Sequence, residues 1–178
     1  MKTANNTKSA RRRDFPSLAL LFAAVTLLAF APQPVRAGPS YPFHARFITE
    51  FEIVVEPPYV HYTTNCQGRA TYMGLTTAVS TDQLVSMIDR SATATYTLTS
   101  NSAGAREERL ILAMTFQATD VPGGITFTGN YTVAGGTGRF AAATGSGVVA
   151  GSAHLIGPTN IGIGSFSLSG GISFGPGD

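Results

Sequence analysis

Lysine, tryptophan and cysteine are scarce in this chain, and the scarcity of lysine and of cysteine each excludes a class of function or structure. Tryptophan does not occur, and the two lysines are Lys2 and Lys8. Beyond residue 8 the chain therefore offers no Schiff-base lysine and no P-loop lysine for a nucleotide. The single cysteine, Cys66, cannot form a disulfide within the chain, so the fold does not depend on one. We expect Cys66 to be a small, buried, apolar side chain, while intermolecular pairing or a reactive thiol stays open.

Positive charge is concentrated near the N-terminus. Of the 12 basic and 10 acidic residues in the chain, six basic and one acidic lie within residues 1–37. Residues 38–178 thus carry six basic and nine acidic side chains, a net charge near −3. Because a protein that binds nucleic acid needs a basic face to neutralise phosphates, we expect no nucleic-acid partner.

Metal and phosphate sites are not indicated either. The three histidines, His44, His61 and His154, do not have the paired spacing of a zinc site. The stretch Gly135-Gly136-Thr137-Gly138 is rich in glycine, but no lysine follows it as in a phosphate-binding loop. The sequence therefore predicts no metal and no cofactor.

Residues 1–37 have the three-part pattern of a signal peptide. A basic start is followed by an uncharged apolar segment over residues 18–31, which is shorter than the roughly 20 residues of a membrane span. Val35-Arg36-Ala37 then provides a cleavage site. Arg12-Arg13-Asp14-Phe15 resembles a twin-arginine signal, and both that route and general secretion stay open. We expect a secreted or periplasmic protein without a stable membrane anchor after cleavage; an uncleaved anchor is the alternative.

Residues 38–178 are expected to form one glycine-rich, all-β domain. The alternation of apolar and polar residues is clearest in 92–99 and 109–119. Seven or eight such short strands predict a β-sandwich or a closed barrel. Sixteen of the 20 glycines lie at or beyond Gly123, and glycine inside strands predicts bulges, tight bends or close approach of neighbouring groups.

Three segments are less regular. Residues 65–68 have the composition of a turn, and residues 69–77 alternate as a strand. Residues 80–89 favour a short helix as readily as a strand, because Ser80 and Gln83 have the spacing of a capping box.

Residues 131–145 contain a signature-like stretch, Gly135-Gly136-Thr137-Gly138-Arg139-Phe140. It resembles a stretch shared by plant dirigent proteins, allene oxide cyclases and related bacterial exported proteins, and residues 68–74 add weaker similarity. The resemblance implies an eight-stranded antiparallel calycin-type barrel in which this stretch joins two strands. It also implies positive φ in the glycine turn, with Phe140 closing one end of the barrel.

The same resemblance implies an apolar lumen that binds a small apolar molecule, either as a carrier or as a cyclase or isomerase. Glu50 and Glu52 are the catalytic candidates provided that they face inward, and an outward, solvated position is the alternative. Tyr62, Tyr72 and Tyr131 are the candidate ligand-binding residues, with a role in the core as the alternative. Dimers and trimers among the relatives leave a homo-oligomer open. The alternative function is a non-catalytic exported domain that acts at the cell surface or between proteins.

Overall fold

Eight antiparallel strands close into a barrel in the structure, a computed structural model that describes residues 39–101 and 108–175. The strands are β1 (Ser40–Glu56), β2 (Tyr59–Ala70), β3 (Gly74–Ser86), β4 (Ser91–Ser100), β5 (Arg109–Val121), β6 (Gly124–Gly136), β7 (Thr144–Leu155) and β8 (Ile161–Ser173). The all-β, eight-stranded antiparallel barrel predicted from the sequence is confirmed. Residues 1–37, where the signal peptide is predicted, lie outside the described residues.

Strict alternation decides which side chains fill the barrel. In β4, Ala94, Tyr96 and Leu98 point inward and are buried, while the threonines between them point outward. Leu110 and Leu112 begin the same pattern in β5. Because successive side chains of a strand point to opposite faces, these strands form a wall that is apolar inside and polar outside, as predicted.

The barrel is closed by pairing of its first and last strands. Ser40 lies opposite Ser173 at one end of the β1–β8 ladder, and Glu52 lies opposite Ile161 at the other. Every strand of the described barrel therefore has two neighbours, and no edge is left open to another chain. Since all the strands and the buried core lie beyond residue 39, a chain that begins at Gly38 contains the complete barrel.

Of the helix and the strand left open for residues 80–89, the strand is the one present, because β3 continues through most of that segment. The pairing of β3 with β4 shifts register between Val79 and Leu84, which marks a β-bulge. As a result Ser80 and Gln83 both point inward and are buried. The bulge thus reproduces, within an extended strand, the three-residue spacing of a capping box.

The turn predicted at residues 65–68 is wrong, because they belong to β2. Cys66 faces the lumen while the polar residues on both sides of it face solvent, so ordinary strand alternation produced the polar composition that suggested a turn. The chain turns instead at residues 71–73, which interrupts the strand predicted over residues 69–77.

Glycines on the inner wall make room for aromatic rings. A Cβ added to Gly147 would lie 2.6 Å from Cε1 of Tyr131, and one added to Gly151 would lie 2.5 Å from Cζ of Phe127. Because glycine has no side chain, β7 and β8 can form a thin wall against which large side chains pack. The predicted close approach at strand glycines is confirmed.

The glycine turn between β6 and β7 has the predicted geometry. It contains one short 3₁₀ segment, Gly138–Phe140, in which Gly138 has a φ of 62°, a left-handed conformation that favours glycine. The Phe140 ring is completely buried, and its centroid lies 5.7 Å from that of Phe174. Phe140 therefore closes this end of the barrel, as expected.

Candidate functional site

The two ends of the lumen differ in how completely they are filled. At the closed end, next to the β6–β7 turn, the inner space is occupied by buried side chains such as Phe43, Met73, Leu110, Phe140 and Ile172. At the opposite end, which we call the mouth, the side chains surround a void of about 30 Å³. That volume holds about one water molecule, far less than the roughly 300–1,000 Å³ of a preformed ligand pocket.

A chain of hydrogen-bonded polar side chains lines the lumen below the mouth. The Thr64 hydroxyl donates to Tyr96 Oη over 3.2 Å, and the Tyr96 hydroxyl donates to Gln83 Oε1 over 2.9 Å. Nearby, Cys66 Sγ donates to Thr49 Oγ1 over 3.3 Å. We call these five residues the polar cluster. They come from the inward faces of β1, β2, β3 and β4, so the barrel itself brings them together.

The polar cluster is neutral because it is buried. Burial raises the pKa of the Cys66 thiol to about 11, although hydrogen bonds to Thr49 and Thr64 oppose the shift. Burial also raises the pKa of Tyr96 and that of Tyr62. Within the described ranges, no aspartate, glutamate or histidine is among the buried residues. At neutral pH the lumen therefore offers hydrogen-bond donors and acceptors without an ionised acid or base.

The two carboxylates predicted from the sequence lie on the outside of the barrel. Glu50 and Glu52 are both exposed, and Glu52 Oε1 accepts a hydrogen bond of 2.9 Å from Nδ2 of Asn160. A catalytic role inside the lumen required an inward side chain. The outward position is the alternative that the sequence left open, and in it these carboxylates cannot reach a molecule in the lumen.

The structure does not bring the three predicted tyrosines together. Tyr62 lies at the mouth, where its ring centroid is 5.4 Å from that of Phe51. Tyr72 lies in the β2–β3 turn at the closed end, with its ring 5.4 Å from Phe174. Tyr131 is fully buried in the closed half beside Phe43. Of the three, Tyr62 alone lines the void.

Tyr131 carries a hydroxyl that forms no hydrogen bond with the described residues. Burial raises its pKa to about 12. We expect Tyr131→Phe to stabilise the barrel by about 1 kcal/mol, because a buried hydroxyl without a partner costs about 1–3 kcal/mol in desolvation. The free energy of unfolding in urea tests this. A loss of stability would mean that the hydroxyl has a partner, such as a buried water.

Sequence reasoning missed Gln83, which accepts the hydrogen bond of Tyr96 at the centre of the polar cluster. The alternation in 92–99 placed Tyr96 on the apolar face of its strand, and that signal was sufficient to predict an inward side chain. Gln83 was hidden by the bulge in β3, which gave it the position of a helix-capping residue. Thr64 gave no signal because it precedes a segment that resembles a turn.

Exposed apolar side chains surround the mouth. Each of the four turns at this end carries or adjoins at least one, and we define the mouth rim as Val55, Tyr59, Met87, Ile88, Val121 and Ile156. The exposed fraction of Ile88 reaches 83%. The rim is continuous with the apolar inner wall, since Phe51, Val85 and Phe127 line the space directly below it.

Residues 39–101 and 108–175 form neither a metal cluster nor a membrane-spanning helix. These residues contain no group of three or more histidines, cysteines or carboxylates that could hold a metal ion. They also contain no helix that is long and apolar enough to span a membrane. Residues 171–175 have the Gly-x-Ser-x-Gly spacing of a nucleophile elbow, but Ser173 ends β8 and the described residues after it, 174–175, are not helical.

Comparison with known proteins identifies no relative of this chain, so its function has to be inferred from the fold and the site. No protein-family model, no curated protein and no solved structure matches the chain. The barrel defines a class of architecture that carries many unrelated functions.

Proposed function

We propose that the barrel binds a small, largely apolar molecule at its mouth, with one polar group of that molecule reaching the polar cluster. The observation that carries this proposal is the position of the cluster. Hydrogen-bonded Tyr96 and Gln83 lie beneath an entrance of aromatic and aliphatic side chains. Ligand sites typically combine a mainly apolar lining with a few placed polar groups.

Binding requires the mouth to widen, because the void of about 30 Å³ is too small for such a molecule. Four aromatic rings adjoin the void in two tilted pairs, Phe51 with Tyr62 at an interplanar angle of 46° and Phe116 with Phe127 at 42°. Rotation of these side chains enlarges the space without a change in strand pairing. Their position next to the open end makes them the movable part of the lumen.

A cyclase or isomerase activity, as the resemblance implies, would have to work without an ionised residue in the lumen. The raised pKa values of Cys66 and Tyr96 keep both side chains protonated near neutral pH. The polar cluster can orient a reactive molecule and donate hydrogen bonds to it, while the apolar wall excludes water. Such a site would accelerate the reaction by holding the reactant in one productive conformation and orientation.

The test compares two isosteric substitutions inside the same barrel. Binding of a neutral apolar fluorophore, N-phenyl-1-naphthylamine, is measured by titration, and long-chain alcohols and ketones are then used to displace it. We expect Tyr96→Phe to weaken displacement by these polar-ended compounds about 3- to 10-fold, the value of one hydrogen bond. Tyr131→Phe serves as the control, because Tyr131 lies in the closed half, and should leave displacement unchanged.

Two results would contradict the proposal: no saturable binding of the fluorophore, or equal effects of the two substitutions. The first would favour the second candidate function, a non-catalytic domain that acts through its outer surface. That candidate is supported by the nearly filled lumen and by the exposed mouth rim.

A further inference from the structure

The turns that carry the mouth rim are tied to one another by polar contacts. The Met87 amide donates to Pro58 O over 2.9 Å, which joins the first two turns at this end. Arg90 Nη2 lies 2.9 Å from Asp120 Oδ2 and joins the second and third. Neighbouring turns are thus held in place before any partner binds. A preorganised surface loses little conformational entropy when it docks.

The fourth turn is tied back to the first strand. Asn160 Nδ2 donates to Glu52 Oε1 over 2.9 Å, and the Ile53 amide donates to Asn160 O over 2.8 Å. Polar groups of the turns are therefore used in contacts around the circumference. The apolar side chains of the mouth rim stay exposed beside these contacts.

The charges near the mouth rim are mainly negative. Four carboxylates lie at this end, Glu52, Glu56, Asp89 and Asp120, and Arg90 is the one arginine or lysine there among the described residues. Two copies of the chain docked mouth to mouth would bring these carboxylates together in a desolvated interface, where like charges repel. An anionic lipid surface would repel them as well.

We propose that the mouth rim docks on a neutral, zwitterionic lipid surface. Four turns at one end of a barrel present their apolar side chains to a flat surface together, and the outer trimethylammonium groups of phosphatidylcholine are complementary to the surrounding carboxylates. Apolar burial supplies the attraction, as it does for interfacial segments of peripheral proteins. The docking does not depend on whether the lumen binds a ligand.

The test uses two double variants of the chain from Gly38 to Asp178. The rim variant Ile88→Ser with Ile156→Ser removes exposed apolar surface at the mouth. The wall variant Ile48→Ser with Leu75→Ser removes comparable surface from the outside of the barrel, because Ile48 and Leu75 are 71% and 55% exposed. Flotation with phosphatidylcholine vesicles measures lipid affinity, and urea unfolding confirms that both variants retain the barrel.

We expect the unchanged chain to bind phosphatidylcholine vesicles, the rim variant to bind roughly tenfold more weakly, and the wall variant to bind as the unchanged chain does. High salt should have little effect, because the attraction is apolar. The absence of vesicle binding would overturn the proposal, and so would equal loss in the two variants. Preference for vesicles that contain phosphatidylglycerol would also overturn it.

Sedimentation of the chain without lipid tests the alternative that the mouth rim binds a second copy of the chain. A dimer that the rim variant dissociates and the wall variant preserves would assign the mouth rim to self-association and overturn docking on lipid. A monomer in both variants is the expected result. Fluorophore binding is measured without vesicles, so failure of lipid docking and failure of ligand binding are distinguishable.

Discussion

Phe140→Ala is expected to destabilise the barrel by about 3–5 kcal/mol, the usual cost of truncating a buried phenylalanine. The ring is completely buried between the ends of β6 and β7 and contacts the ring of Phe174. Its removal leaves a cavity at the closed end. Strands β6 and β7 cannot move in to fill this cavity, because each is paired with its neighbours on both sides. Urea-induced unfolding, followed by circular dichroism, measures the loss.

Two controls separate the ring from the turn that carries it. Phe140→Leu retains most of the apolar volume and should cost less than about 1.5 kcal/mol. Arg139→Ala alters the neighbouring residue, whose Nη2 lies 2.9 Å from Glu108 Oε2 and donates to Tyr72 O, and whose guanidinium lies over the Phe140 ring at 5.2 Å. Because a partly exposed ion pair contributes about 0–1 kcal/mol and a cation–π contact about 0.5–1 kcal/mol, the loss should stay below that of Phe140→Ala. Equal losses for Phe140→Ala and Arg139→Ala would mean that the turn matters and that the buried ring does not.

Gly129→Ala is expected to cost about 3 kcal/mol or more, through collision with the neighbouring strand. A Cβ at this position would lie 2.5 Å from Cα of Phe116 and closer still to the carbonyl oxygen of Thr115. Both are backbone atoms of β5 and cannot rotate away, so the β5–β6 pairing itself must shift. Overpacking that forces the backbone to shift usually costs about 1–3 kcal/mol and occasionally more; the close approach to two backbone atoms places Gly129→Ala at the upper end.

Gly157→Ala is the matched control for that substitution. Gly157 lies in the β7–β8 turn with a φ of 64°, and a Cβ there would have no neighbour within 4 Å. The expected cost is about 1–2 kcal/mol, which reflects the left-handed backbone alone. If Gly129→Ala lowered the free energy of unfolding no more than Gly157→Ala does, the β5–β6 pairing would be able to shift and accommodate a Cβ, contrary to this prediction.

The regular strands of the barrel were predictable because each of them obeys one rule. In β4 and β5 every second residue is apolar, so both the strand and the direction of Tyr96 and Leu110 could be predicted from periodicity alone. The β6–β7 turn was predicted from the resemblance of residues 135–140 to a stretch that joins two strands, and the left-handed backbone of Gly138 agrees with the positive φ expected there. Both features depend on residues that are close together in the sequence, and such features can be predicted from the sequence alone.

The errors arose where a local pattern has two structural explanations. The bulge in β3 gives Ser80 and Gln83 the spacing of a helix start, and only their pairing with other strands distinguishes the two structures. In β1, Ile48 and Val54 make the outer face partly apolar, so alternation could not decide which side Glu50 faces. The candidate site was incompletely predicted for this reason, since it combines four strands and one bulge.

Because β1 pairs with β8, the barrel cannot close before its eighth strand is in place. Ser40 and Ser173 are opposite each other although nearly the whole domain lies between them in sequence, and such long-range contacts slow folding. Until β8 emerges from the ribosome, β1 and β7 both present open edges, and the inner face of β1 lacks part of its cover. The nascent barrel therefore stays open along both of these edges until its eighth strand has been made.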